Sequence, residues 1–440
     1  MEGLVMTAQL MLGLSILVGV HEAGHLLAAK AFGMRVEKFS IGFPPKIWGF
    51  QYGETEYSFG AIPLGGFVKI TGMIDESMDT EAMAQEPQPW EFRSKPAWQR
   101  LIVMMGGIIV NVITGIIIFI SLTFYNGESY LKKDDLNVHG IVAYKLGEEL
   151  GFKTGDKVLK LNGENFEKFT DLVSSDVILN NGTFYTIQRG EEVLEVTIPE
   201  GFLNKITDKK KYDGQFIGVR QPFEVGMVKI GSPADKGGLE TGDQFVKING
   251  YDGKYFSDFR EVLQNNKEKE VSALVKRANG QSEELKLNVQ EDGTVGFQPV
   301  WLLNFSHRDY SFTESLNKGT TQAFNVIWVN IKAFGKIFSG EVSASKSLSG
   351  PIGIAQMFGG TWDWTKFWSL TGLLSMVLAF MNFLPIPALD GGHVVFLTYE
   401  MVSGQKPSDK FLENAQKVGM VLLLGLMGFA IFNDVFKAFF

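Results

Sequence analysis

The 440-residue chain contains no cysteine and only five histidines. Without cysteine it can form no disulfide, no thiolate metal site and no cysteine nucleophile. It also lacks an excess of positive charge. Its 41 Lys and Arg stand against 49 Asp and Glu, for a net charge of -8. No basic patch with interleaved aromatics is present either, so nucleic acid is not an expected partner. No basic stretch precedes the first apolar run, which Glu2 opens, and no small-residue cleavage site follows it. That helix is expected to be retained and not removed as a secretory signal.

What the chain does have is very apolar ends around a middle of ordinary soluble character. Four apolar segments stand out, at about 4–31, 98–124, 367 into a break near 382–387, and 418–436. Each approaches or exceeds the length needed to cross a hydrocarbon core of about 30 Å. Lys30, Arg35, Lys38 and Lys46 follow the first segment, Arg93, Lys95 and Arg100 precede the second, and Lys406, Lys410 and Lys417 lie between the last two. If all four cross, these groups share one face, which the positive-inside rule makes cytoplasmic. Both termini and the middle of the chain then face outward.

These patterns divide the chain into eight stretches. Residues 1–31 form the first transmembrane helix, and 32–96 a glycine-rich β-region with a cytoplasmic loop. Short strands are expected at 39–43, 56–59 and 67–70, with an acidic solvated loop at 75–91. Residues 97–125 form the second span, 127–215 and 216–302 two related units, and 303–365 an amphipathic helix and connector. Residues 366–398 form the third span, and 399–440 a cytoplasmic loop and the fourth. The amphipathic helix would lie on the outer leaflet, over the spans, or as a connector on the second unit. The two middle units are related by an internal repeat. Gly155-Asp156 through Asn162-Gly163 recurs as Gly242-Asp243 through Asn249-Gly250, at an offset of 87 residues. Its Ser-Pro-Ala, Gly-Asp and Asn-Gly pattern resembles a PDZ domain. The first copy lacks the Ser-Pro-Ala element.

The chemistry concentrates at the two ends. His21-Glu22-Ala23-Gly24-His25 is an HExxH motif inside the first apolar run. Ionisable groups at hydrocarbon depth are costly and usually mark a functional site. His21 and His25, four residues apart, share a helical face with metal-ligand spacing, and Glu22 beside them is a candidate general base. A third ligand is needed. Asp390 follows a long apolar stretch at matching depth, behind Pro385 and Pro387, which interrupt the helix. His393 competes as a ligand or serves as an outer contact. Asn382 and Asn111 are candidate hydrogen-bond donors to a substrate, and Asn111 reads equally as an interhelical contact. A membrane scaffold with an inactive metal site remains a second reading and a metal transporter a third.

HExxH at 21–25, NxxPxPxLDG at 382–391, and Gly65-Gly66-Phe67-Val68 as a GGFV segment together resemble the site-2 protease family of intramembrane zinc metalloproteases, peptidase family M50. The resemblance implies a polytopic α-helical membrane protein with four transmembrane helices, a membrane-associated β-region and two inserted PDZ domains. It implies Zn2+ held by His21, His25 and Asp390, with Glu22 catalytic. Asn382, Gly66 and Phe67 would contact substrate. It further implies the lipid bilayer of a bacterial inner membrane, with the termini and PDZ pair periplasmic. The substrate would be a single-pass transmembrane protein already trimmed by a first protease, such as an anti-sigma factor, or a remnant signal peptide.

Overall fold

The computed structural model describes residues 2–73, 86–212, 214–343, 345 and 350–439. Most of the acidic loop expected at 75–91 lies outside the described residues. The chain forms two compact units, one from residues 1–127 and 309–440, the other from 128–308.

In the first unit, among the described residues, four helices are long and apolar enough to cross a membrane. They are α1 (Glu2–Ala31), α2 (Ala97–Asn126), α5 (Trp364–Phe383) and the 410–436 part of α7 (Asp409–Phe439). Between them come α3 (Phe312–Phe338), α4 (Pro351–Phe358) and α6 (Asp390–Ser403). α2 is the hub, packing against α1, α3, α5 and α6. Glycine makes the closest of these contacts possible. A Cβ on Gly24 of α1 would collide with the Gly106 carbonyl of α2, and one on Gly115 of α2 would collide with Met376 of α5. Val421, Leu422, Leu424 and Met427 on α7 are each more than half exposed. Such a face is costly in water and at home in lipid.

α3 matches the amphipathic segment of the sequence. Ser311 and Glu314 close a capping box at its start, and it lies along the spans. Gly319 sits against the Ile120 backbone of α2, and Phe334 meets Phe380 of α5 at 5.5 Å between ring centroids. The connector returns through α4, whose first turn is capped from α7. Asp434 accepts from the backbone N–H groups of Gly350 and Gly353 at 2.8 and 3.0 Å.

Two long antiparallel strands, β1 (Val36–Tyr52) and β2 (Thr55–Ile70), follow α1. Both double back, so Ile41 pairs with Phe59 on one side and Gly66 on the other. The spatial order of segments is 66–70, 36–41, 55–59, 46–52. Three separate short strands were expected; the glycines let two strands bend into a four-segment sheet instead. Gly42 (φ 92°) faces Gly60 where the bend needs both a left-handed backbone and close approach. The segment 66–70 therefore forms one edge of this sheet.

The second unit holds two lobes with separate cores and one design. In the first, Lys157–Leu161, Phe184–Arg189 and Glu192–Thr197 form a sheet around Phe152, Tyr185 and Phe216. In the second, Gln244–Ile248, Glu270–Lys276 and Ser282–Asn288 do the same around Phe223, Phe245 and Phe259. The 87-residue repeat explains the correspondence. Asp156 accepts from the Lys153 N–H at 2.7 Å and Asp243 from the Glu240 N–H at 2.8 Å. Each buried carboxylate is also held by an arginine, Arg189 or Arg277, that donates in addition to the Gly151 or Gly238 carbonyl. Asn162 and Asn249 both take positive φ, and each accepts a backbone N–H from the neighbouring strand. The copies differ where the motif does. Ser232 caps the helix Pro233–Lys236, whereas Lys145–Leu150 has no side-chain cap.

Candidate active site

The loop after α5 decides the geometry. Pro385 and Pro387 deny the helix its next donors, and Leu384 takes an extended conformation (φ -62°, ψ 143°). Ala388 is held at φ 78°, a strained position of the kind found at functional sites, and a new helix begins at Asp390. The single span expected over 366–398 is therefore two helices, α5 and α6, separated by a six-residue break at 384–389. The carbonyls of Leu384, Ile386 and Pro387 in this break are covered closely by Gly391, Gly392 and Gly419, none of which has room for a Cβ. Asp390 consequently stands at a helix N-terminus, where the helix dipole favours a carboxylate.

That carboxylate meets α1. Asp390 Oδ2 lies 3.2 Å from His21 Nε2 and 3.5 Å from His25 Nε2, and the two nitrogens are 3.2 Å apart. Oδ2 is nevertheless buried without a properly aligned hydrogen bond. The ion-pair distances and the missing hydrogen bond look contradictory until the three atoms are seen to converge on a common point. Tetrahedral zinc with bonds of roughly 2.0–2.1 Å spaces its ligand atoms roughly 3.3 Å apart, close to the triangle observed. The His25 ring is set for ligation as well. Its Nδ1 sits 2.8 Å from the Val103 carbonyl, which can only accept, so Nδ1 carries the proton and Nε2 presents its lone pair. The donor set fits a divalent cation of zinc type and leaves a coordination position for water.

A cavity of about 590 Å³ opens on this triangle. His21, Glu22, His25, Gly66, Phe67, Asn382 and Asp390 all line it. Asn382 Nδ2 lies 3.3 Å from His21 Nε2. Gly66 brings the sheet edge against α1, where a Cβ would meet Val18 Cγ1 at 2.7 Å and Glu22 Cγ at 3.3 Å. Of the site residues singled out in the sequence, Asn111 alone does not line the cavity. It is fully buried on α2, with Nδ2 3.1 Å from His21 Nδ1. His393 lines the cavity but is not part of the three-residue cluster. Gln416 and Met420 of α7 line it too, and the sequence reading passed over both. A glutamine just ahead of an apolar run was the available signal for the first.

Comparison with known proteins finds similarity along nearly the whole length. The model of peptidase family M50 matches residues 9–426. The regulator of sigma E protease of Haemophilus influenzae is 30% identical over 452 residues, covering 97% of each chain. The regulator of sigma-E protease RseP of Salmonella typhimurium is 28% identical over 454 residues, again covering 97% of each. A match of that extent takes in both the HExxH helix and the aspartate that reaches it from some 365 residues later, about the whole reach of the fold. The chain belongs to peptidase family M50.

Proposed function

We propose that this protein is a zinc-dependent endopeptidase that cuts within transmembrane segments. The observation that carries the reading is the convergence of His21, His25 and Asp390 beside Glu22, in a cavity between helices long and apolar enough to span a bilayer. His21, His25 and Asp390 would hold the metal, which when bound supplies Lewis acidity to a water and to the scissile carbonyl. Glu22 takes the proton from the attacking water and passes it to the leaving amine. Asn382 donates toward the oxygen that becomes negative in the tetrahedral state. The sheet edge at Gly66 and Phe67 would take a substrate drawn out of its helix as an added strand. Unwinding is required, because a helical peptide bond is shielded by its own side chains and hydrogen bonds.

We read the two lobes of residues 128–308 as PDZ domains, on the motif repeated in both, that would exclude substrates with bulky outer domains. Orientation by the positive-inside rule places the lobes and both termini in the periplasm and the metal site toward the cytoplasmic side of the inner membrane. The named relatives are regulators of sigma-E, which favours an anti-sigma factor, pre-trimmed by a first protease, as substrate. Remnant signal peptides, short and already lacking an outer domain, suit the same filter.

The test is cleavage of a pre-trimmed single-pass substrate by purified protein in detergent or vesicles. Glu22→Gln should retain zinc and lose cleavage by at least 10²–10⁴-fold, the range of a general base. Chelation should abolish cleavage and zinc should restore it. Cleavage at the wild-type rate by Glu22→Gln, or in the presence of chelator, would overturn the reading.

A further inference from the structure

Two imidazoles ligating through Nε2 must each carry their proton on Nδ1, and a buried N–H needs an acceptor. For His25 the acceptor is the Val103 carbonyl of α2, at 2.8 Å. For His21 the group facing Nδ1 is the carboxamide of Asn111, eight residues further along the same helix. That carboxamide turns its nitrogen to the ring at 3.1 Å, and Asn111 Oδ1 is left buried with no partner. Oxygen and nitrogen of a carboxamide are alike in shape, and a half-turn about the last bond exchanges them. The half-turn moves the unpartnered end from acceptor to donor, so counting hydrogen bonds does not choose between the orientations. The imidazole does. With nitrogen facing it, Nδ1 must be the bare atom and Nε2 the protonated one, which is incompatible with Nε2 binding a cation.

We propose that Asn111 is a positioning residue whose side-chain oxygen accepts the His21 Nδ1 proton and thereby turns the Nε2 lone pair toward the metal. It does not contact substrate. The proposal rests on zinc ligation by His21 in the function proposed above. Three observations place Asn111 in this role. The residue is wholly buried and does not line the substrate cavity. Its main chain is pinned between spans, since Ser375 Oγ of α5 donates to the Asn111 carbonyl at 2.8 Å. And α2 is cleared for both rings by Gly107, where a Cβ would stand 2.6 Å from His21 Cε1 and 2.5 Å from His25 Nε2. One helix thus supplies both outer acceptors, two turns apart, and the space the rings occupy.

Two near-isosteric variants separate the roles. Asp can only accept when ionised, and Leu can neither accept nor donate. Zinc affinity of the purified full-length protein is measured by competition with a chelator of known strength. The absorption spectrum of the cobalt-loaded protein reports coordination geometry. Asn111→Leu should lower zinc affinity about 10–100-fold, the usual cost of losing an outer-sphere partner. It should also alter the cobalt spectrum, while the melting temperature of the metal-free protein stays at the wild-type value. Asn111→Asp should bind zinc at least as tightly as wild type. Equal affinity in all three proteins overturns the proposal, as does an Asp variant weakened as much as the Leu variant, which would mark the nitrogen as the working atom. If the Leu variant does not fold, Asn111→Asp decides alone: zinc bound as tightly as in wild type supports the proposal and weaker binding overturns it. A wild-type protein that binds no zinc defeats the proposed function itself, an outcome distinct from these.

Discussion

Gly24 and Gly106 face each other backbone to backbone, on α1, which carries His21 and His25, and α2, which carries Val103 and Asn111. Neither position has space for a methyl group, and Gly107 next to it faces the imidazoles themselves. The spacer glycine of His-Glu-Ala-Gly-His is therefore a packing residue, and the distance between α1 and α2 is set by it.

Gly24→Ala should push α1 from α2 and cost about 1–3 kcal/mol by overpacking, with loss of bound metal. Gly335→Ala, in the interior of α3 with nothing within 4 Å, is the control. It should leave metal binding intact and raise stability by roughly 0.5–1 kcal/mol. Thermal melts and metal analysis on both proteins check this. Equal behaviour of the two variants would show that the close approach is not a constraint.

Asp390→Ala should lose zinc, because it removes the donor that completes the 3.2–3.5 Å triangle. Asp390→Asn is expected to weaken binding less than Ala, since one oxygen is kept but its charge is not. Metal content after dialysis gives the order directly. Full occupancy in the Ala variant would move ligation elsewhere.

Gly66→Ala places a methyl 2.6 Å from the Ser40 carbonyl and 2.7 Å from Val18 Cγ1, so the sheet edge must retreat from α1. The metal triangle does not include this segment. The expected result is unchanged zinc content with a raised KM and a smaller change in kcat, read from steady-state cleavage of a trimmed transmembrane substrate.

Arg277→Ala strands the Asp243 carboxylate, which is 1% exposed, and should destabilise the second lobe by about 3–5 kcal/mol. Arg189→Ala should cost less, because the Arg189 side chain is 28% exposed against 12% for Arg277 and water can reach the vacated place. Comparing the two melts tests whether the repeated Gly-Asp motif is structural.

His139 of the first lobe lies against Tyr255 of the second, at 3.3 Å from Nδ1 to the hydroxyl. Burial lowers its pKa from 6.5, and Lys254 and Arg220 lower it further. The folded state thus binds this proton less readily than the unfolded chain, and stability falls as pH drops below 6.5. Below the depressed folded value the loss is complete. Hydrogen-exchange protection around 139 and 255, taken relative to the intrinsic rate at each pH, should fall on acidification in wild type and much less in His139→Gln. An identical pH response in both would place the sensitivity on other groups.

Much of this protein can be read along the chain. The four apolar runs, the repeat at 155–163 and 242–250, and the HExxH spacing depend on neighbours within a few turns, where hydrophobicity and helical periodicity are decisive. The doubling of β1 and β2 escaped such reading, because which glycine bends a strand depends on the strand lying beside it. The break at 384–389 was visible in its two prolines, but the fresh helix at Asp390 depends on Gly391, Gly392 and Gly419 packing against the backbone of the break.

Residue type and spacing along one chain determined that a cation site was available: two imidazoles on one helical face, and a distant acid at matching depth. Only the tertiary structure decided which polar residues reach the cavity and which are sealed in the packing. Asn382 and Asn111 look alike in sequence, each an amide in an apolar helix, yet one lines the cavity and the other is sealed behind His21. The physical reason is that a helix fixes only which face a side chain shares with its neighbours. What that face meets is set by the close packing of α1, α2 and α5, a contact made between residues far apart in the chain.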